Sequence, residues 1–336
     1  MSLNHRKLQY SLAINEALHQ MMAADERVFL IGQGVKSPWY VGNTAVGLLD
    51  RFGSERIIDT PVSENAITGA AVGAAIAGMR PIVVHPRMDF MLYAFDPIIN
   101  QAANWHYMCG GNSFVPLVIW GIINRGGEQA AQHSQAFHSI FSHIPGLKVV
   151  MPSTAYDAKG LMIAAIRDKN PVVFIDDRWL YKTEGEVPRK KYEVPIGRGI
   201  IRSRGSDLTI CAISYMAQEA QKAAEELKKI KIDAEVIDLR TAKPLDTGII
   251  FDSVRKTGRL IIADVGWKSF GLSAEVASLV AERFSGKFKP LIARVALPDA
   301  PAPASAVLEK IYYPDYRNIV KSAKLMFRNR RKNGEF

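Results

Sequence analysis

Short apolar, β-rich runs alternate along this chain with stretches carrying apolar residues at helical spacing, and that alternation constrains the fold more than any other feature. "RVFLIG", "RPIVVHP", "VPLVIWG", "LKVVMP" and "NPVVFID" read as buried strands, with helical patterns such as "YSLAINEALHQMMAAD", "NAITGAAVGAAIAGM" and "YAFDPIINQAANWHYM" among them. Strand followed by helix, repeated, predicts βα units on a mostly parallel sheet, an α/β sandwich. The second half repeats the pattern on a smaller scale, with strands "DLTICAIS", "AEVIDLR", "RLIIADVG" and "LIARVAL" and helices "MAQEAQKAAEELKKI" and "LSAEVASLVAERF". Charge and proline rise together between the two halves. The expected organisation is an α/β domain over 1–181, a basic linker over 182–204 and a smaller α/β domain over 205–336 that ends in a basic tail.

A length of 336 residues suits two domains, and 48% hydrophobic with 23% charged residues is ordinary for a soluble globular protein. Arg80 interrupts the longest apolar stretch, so none reaches the roughly 20 residues a bilayer span requires, and the polar start "MSLNHRKLQ" does not read as a signal peptide. A cytoplasmic protein is expected. Cys109 and Cys211 lie far apart in apolar contexts, which fits inert core thiols in a reducing compartment. The net charge of +10 is concentrated in two places: 321–336 holds six basic residues against Glu335, and 182–204 holds seven against three acids. No aromatic-interleaved basic stripe accompanies them, so solvated charge is expected and nucleic-acid binding is not.

Ligands of open α/β sheets gather at the carboxyl ends of the strands. Three strand-end loops supply chemistry there: Glu64 in "DTPVSENA", Phe90 in "HPRMDF" and His133 in "GGEQAAQHSQ". Each also has a plainer reading. Glu64 suits a helix start, where the macrodipole favours an acid; His133 suits a satisfied polar turn; Phe90 suits the core. Glu64 asks for more, because the residues after it, "ITGAAVGAAIAGMRPIVV", contain no other acid. The chain has no Walker motif, no clear G-x-G-x-x-G after a strand, no H-E-x-x-H and no cysteine zinc pattern, so neither a mononucleotide site nor a protein metal cage is signalled.

The order "DTPVSENAITGAAVGAAIAGMRPIV", "AFDPIINQAA", "AAQHSQAFHSIFSHIPGLKVVMPSTAYDAKGLMIAAIRDKNPVVFID" and "VIDLRTAKPLD" resembles the β subunit of the thiamine-diphosphate-dependent first component of 2-oxoacid dehydrogenase complexes. That group includes the pyruvate, branched-chain and acetoin enzymes, within the transketolase superfamily. The similarity spans nearly the whole chain. It implies a pyrimidine-binding α/β domain followed by a smaller transketolase C-terminal domain, and it assigns Glu64 to hydrogen bonding with a nitrogen of the cofactor's pyrimidine ring. Burial disfavours a bare carboxylate, so an acid shielded by "AITGAAVGAA" is suited to share a proton with that nitrogen. By the same resemblance Phe90 packs on the pyrimidine, Val62 and Tyr93 contribute to cofactor binding, and His133 serves later proton transfers, including acyl transfer to a lipoyl group.

The resemblance also implies a structural potassium ion at "AAIRDKN", with Leu117, Ala165, Ile166, Asp168 and Asn170 at the matching positions; an ordinary helix-to-strand turn is the plainer reading. The family's Gly-Asp-Gly motif, which holds Mg2+ and the diphosphate, is absent here. In two-chain members it lies on the α subunit, so the expected assembly is an α2β2 heterotetramer with a shared cofactor, working with a lipoyl acyltransferase. Departures from the family pattern cluster near the candidate site: Gln33 where an acid is usual, His85, Pro86 and Arg87 in a stretch usually apolar or acidic, and Arg125 near His133. Extra positive charge there suits a substrate more acidic than pyruvate. Two rivals stand beside the dehydrogenase reading: a split transketolase-like enzyme with a non-lipoyl acceptor, and a noncatalytic scaffold, which predicts decay at Glu64, Phe90 and His133.

Overall fold

The computed structural model describes residues 6–37, 40–286 and 288–332. The side chains of Arg330, Arg331 and Lys332 in the basic tail, and all of 333–336, lie outside the described residues. The chain divides into two compact units, one of residues up to 125 with 132–196, the other of 126–131 with 197 onward. The division after Ile196 falls inside the basic stretch 182–204, both ends of which carry strand structure.

In the first unit, β1 (Lys7–Gln9) leads into α1 (Tyr10–Ala24) and β2 (Val28–Gly32). Next come α2 (Leu48–Phe52), β3 (Ile57–Asp59), α3 (Glu64–Ile76) and β4 (Arg80–His85). A 3-10 stretch (Met88–Ala94) and a π-helical stretch (Asp96–Ala102) run into α4 (Ala103–Met108) and then β5 (Val118–Ile123). The unit closes with α5 (His138–His143), β6 (Lys148–Val150), α6 (Ala155–Arg167), β7 (Val172–Asp177) and β8 (Glu184–Glu186).

Its strands lie in the order β6, β7, β5, β4, β2, β3, every neighbouring pair parallel. Strands β2, β5 and β7 are buried at every position, as parallel strands covered on both faces must be. Outside the sheet, β1 and β8 pair as a short antiparallel ribbon. Helix α1 buries Tyr10, Ile14, Leu18 and Met22 at helical spacing and packs on α6. The buried Lys159 of α6 reaches Glu16 Oε1 at 2.6 Å and donates to the Pro188 carbonyl at 2.6 Å, which satisfies its charge. Gly121 of β5 lies under the segment that carries Phe90; a Cβ there would sit 2.5 Å from Met91 Sδ.

The second unit contains β9 (Ile200–Ser203), β10 (Leu208–Ala212), α7 (Tyr215–Lys229), β11 (Ala234–Asp238) and β12 (Thr241–Lys243). It continues with α8 (Thr247–Thr257), β13 (Arg259–Trp267), α9 (Leu272–Phe284), β14 (Leu291–Leu297), α10 (Ala306–Tyr312) and α11 (Tyr316–Lys332). Its sheet runs β14, β13, β10, β11, β9, parallel except for β9 at one edge. Cys211 is a buried free thiol whose burial pushes its pKa up, consistent with an inert core residue. No helix among the described residues is long and apolar enough to cross a membrane.

Candidate active site

Parallel strands deliver their following loops to one edge of the sheet, and three such loops of the first unit meet there. Glu64 opens α3 after β3; Phe90 lies on the 3-10 stretch after β4; His133 lies in the loop after β5. Together they line one cleft of about 310 Å³, with Ile67 and Val84 as its apolar wall and Arg87 beside them. Phe90 and His133 touch edge to face, ring centroids 5.5 Å apart and planes at 83°.

Hydrogen bonds between the β4 and β5 loops set that contact. Asp89 Oδ1 accepts from the Gln135 backbone N–H and from Gln135 Nε2, both at 3.0 Å, tying the residues after His133 to those before Phe90. Asn124 Nδ2 donates to the Pro86 carbonyl at 2.9 Å. Burial raises the pKa of the Asp89 carboxyl, and the bonds from Gln135 oppose the shift. Under the cleft, Thr68 Oγ1 and His85 Nε2 share a hydrogen bond at 3.2 Å, both residues buried.

Glu64 is half-buried in this chain, not enclosed as the apolar run after it led us to expect. The apolar residues of α3 divide between two sides: Ile67, Ala71, Val72 and Ala75 turn inward, while Gly69 and Gly73 have nothing within 4 Å of where a Cβ would stand. Periodicity in a stretch this uniformly small did not show which residues face the core. Val62 and Tyr93 are 66% and 70% exposed and do not line the cleft. Gln33 and Tyr40 do line it. Sequence reasoning passed over Tyr40, which stands in an irregular segment without periodicity.

The cations near the site part company. Burial pushes the His85 imidazole down to about 4, so it is neutral at pH 7. Arg125, expected beside His133, instead pairs with buried Asp177 at 2.5 Å and lies 5.3 Å over the Trp179 ring. Arg87 stays in the cleft wall.

At the loop after α6, the carbonyls of Ile166 and Asp168 accept from Arg80 Nη1 at 2.8 and 3.2 Å, and Leu117 O accepts from the Val172 N–H at 2.9 Å. Asp168 Oδ1 accepts from the Asn170 N–H at 2.9 Å, and its other oxygen pairs with Lys148. Asn170 Oδ1 is buried with no hydrogen-bond partner. The Arg80 guanidinium thus already sits on the Ile166 and Asp168 carbonyls, and of the expected ligand atoms Asn170 Oδ1 is the one left as an unused acceptor for a hard monovalent cation. Among the described residues no group of three or more His, Cys, Asp or Glu is placed to hold a metal ion.

The family described as "Transketolase, pyrimidine binding domain" matches residues 6–183, and "Transketolase, C-terminal domain" matches 197–319. The chain is 43% identical over 329 residues to the acetoin:2,6-dichlorophenolindophenol oxidoreductase subunit beta of Cupriavidus necator, covering 95% of this chain and 97% of that one. It is 42% identical over 312 residues to the pyruvate dehydrogenase E1 component subunit beta of Rickettsia felis, covering 93% and 96%. Among solved structures, one titled "Split gene transketolase, inactive beta4 tetramer" superposes with a TM-score of 0.77 at 21% identity, covering 94% and 97%, which establishes the shared fold.

Proposed function

This chain belongs to the transketolase family, among the β subunits of the first component of pyruvate and acetoin dehydrogenases, and from that premise we propose that it is the β half of a thiamine-diphosphate-dependent 2-oxoacid or acetoin dehydrogenase. The observation that carries the reading is the meeting of Glu64, Phe90 and His133 around one cleft. An apolar wall with one carboxylate at its rim fits a flat aminopyrimidine, which needs a ring surface and one proton partner. Relatives at 42 and 43% identity named for pyruvate and acetoin dehydrogenases outweigh a 21% likeness to a split transketolase, which bears on fold alone. Retention of all three side chains weighs against a scaffold that has lost its chemistry.

Bound thiamine diphosphate supplies the nucleophilic carbon and the electron sink that 2-oxoacid cleavage requires. Glu64 would hydrogen-bond the pyrimidine nitrogen and so bias the ring toward one tautomer. Phe90 fixes the plane of that ring. His133, held beside Phe90 by the Asp89–Gln135 bonds, moves protons at the substrate oxygen and during transfer of the acyl group to a lipoyl acceptor. Val62 and Tyr93, exposed in the single chain, would contribute to cofactor binding in the assembled enzyme, where a partner surface can cover them. The diphosphate and Mg2+ belong to that partner's Gly-Asp-Gly motif in an α2β2 assembly. Exposed Tyr107 and Met108 and the open glycine face of α3 supply apolar and small-residue surface for close subunit packing. Leu117, Ala165, Ile166, Asp168 and Asn170 would hold a structural potassium ion, with Arg80 giving up the Ile166 and Asp168 carbonyls to it. Free thiols suit a cytoplasmic setting.

The test is to express the chain alone and with an α chain carrying Gly-Asp-Gly, and to titrate thiamine diphosphate into each. Binding in the pair only is the expected result, followed by turnover of a 2-oxoacid or acetoin with an artificial electron acceptor. Tight binding by the lone chain would overturn the shared site.

A further inference from the structure

The basic tail, expected from sequence to be solvated charge, forms one side of a groove. Within the second unit α11 packs on α7, β13 and β14 and buries Ile319, Ala323 and Met326. Its outward side carries Arg317, Lys321, Lys324 and Arg328 at i, i+4, i+7 and i+11, a stripe about 17 Å long that lines a groove of about 470 Å³ beside α7. Residues 316–332 hold seven basic residues and no acid. The acids next to the stripe are already engaged. Asp315 Oδ2 accepts from Arg317 Nε at 2.8 Å, and Glu226, in the groove wall, pairs with Lys229 at 2.6 Å. Glu219 divides its oxygens between Lys222 Nζ at 2.7 Å and the Tyr316 N–H at 3.0 Å. Among the described residues Lys321, Lys324 and Arg328 have no ion-pair or hydrogen-bond partner. Like charges at three- and four-residue spacing repel along a helix, and α11 supplies nothing to offset them. Beside the cations the lining turns apolar, with Val320 half-buried and Leu325 52% exposed.

Independently of the dehydrogenase reading, we propose that this groove docks an acidic segment of a partner protein: a peptide with carboxylates spaced to meet Lys321, Lys324 and Arg328 and an apolar side chain seated on Val320 and Leu325. Uncompensated positive charge decides the sign of the partner, and the apolar lining decides its class. A peptide offers carboxylates and an apolar side chain together. A nucleic acid would meet the cations with phosphate but leave Val320 and Leu325 uncovered, and among the described residues that line the groove Tyr316 alone is aromatic for a base to stack on. A membrane surface fits less well, because the apolar face of α11 is already buried inside its own unit. The cations steer and orient the acidic segment, and the apolar contact slows its release.

The test titrates the full chain into a fluorescein-labelled peptide of about 15 residues, long enough to run the stripe as a helix, with glutamates at i, i+4, i+7 and i+11 and leucines along one flank. A scrambled peptide of the same composition, a single-stranded oligonucleotide and vesicles containing phosphatidylserine are titrated beside it. The patterned peptide should bind at least about 10-fold more tightly than the scrambled one, read by fluorescence polarisation. Lys321→Gln with Lys324→Gln should weaken it about 10-fold at low salt and less at high salt, whereas the loss in Leu325→Ser should persist in both. Thermal melts of each variant verify folding, and Leu325→Ser, at an exposed position, keeps the test open if the charge variants fold poorly. Equal affinity for patterned and scrambled peptides, or losses in the lysine variants with none in Leu325→Ser, would show diffuse surface charge and overturn the proposal. Tighter binding of the oligonucleotide or the vesicles than of the peptide, or no binding of any probe, would overturn it as well.

Discussion

The ring of Phe90 stands edge-on to the imidazole of His133, centroids 5.5 Å apart, although the two residues leave different strands of the sheet. Edge-to-face pairs of this kind contribute about 0.5–1.5 kcal/mol beyond their burial. Phe90→Ala and His133→Ala should therefore be non-additive: a double-mutant cycle on thiamine diphosphate affinity in the assembled enzyme should give a coupling in that range. Strict additivity would show that the contact does not organise the cofactor site.

Glu64→Gln removes the exchangeable acid while keeping shape and polarity. Turnover by the assembled enzyme should fall by about 10² to 10⁴, with gel-filtration mass and melting temperature unchanged. Activity within a fewfold of the unmutated enzyme would remove the proton role given to Glu64.

His85 makes stability depend on pH in a known direction. Its folded pKa of about 4 lies below the ordinary 6.5, so between those values the unfolded chain binds a proton the folded chain refuses, and stability falls as pH drops through that window. The full effect is about 3 kcal/mol. Asp176, which burial pushes up to about 7, works the other way: its contribution falls as pH rises from about 4 toward 7. The informative quantity is thus the difference between unmutated protein and His85→Gln. That difference should grow in favour of the variant as pH falls from 6.5 to 4, followed by thermal melts; a flat difference would contradict the buried neutral imidazole.

Gly146 adopts φ +87°, and a Cβ there would lie 2.0 Å from the Ala103 carbonyl oxygen. Gly258 has φ +65° and ψ 4°, the left-handed region, with nothing within 4 Å. Gly258→Ala should cost only the left-handed backbone penalty of about 1–2 kcal/mol. Gly146→Ala should cost at least about 2 kcal/mol more, because backbone must move. Denaturant midpoints of the two variants measure the gap, and equal losses would place Gly146 in a looser turn.

Potassium should raise the melting temperature above that in tetramethylammonium at equal ionic strength, and Asp168→Ala should abolish the difference. Identical melts in the two salts would mean that Arg80 and Lys148 alone hold the loop after α6.

Much of this was written in local pattern. The apolar runs around Leu30, Val83, Ile119 and Val173 became parallel strands because a strand covered on both faces has no polar positions to spare. Strand-then-loop order was enough to bring Glu64, Phe90 and His133 to one edge, since parallel strands all end on the same side. Other features were not legible. The uniformly small residues of α3 carry no contrast to tell a core face from an open one, so the half-exposure of Glu64 came only with the fold. Arg125 and Arg87 look alike as neighbours of site motifs; Asp177, far along the chain, pairs with the first, while the second lines the cleft.

The sequence by itself determined which segments are strand and helix, and which three side chains stand at strand ends, because periodicity and strand polarity are local properties. Tertiary structure alone decided which charges survive there. A guanidinium or imidazole keeps or loses its charge according to the carboxylates and the water left around it, and those neighbours arrive from distant parts of the chain.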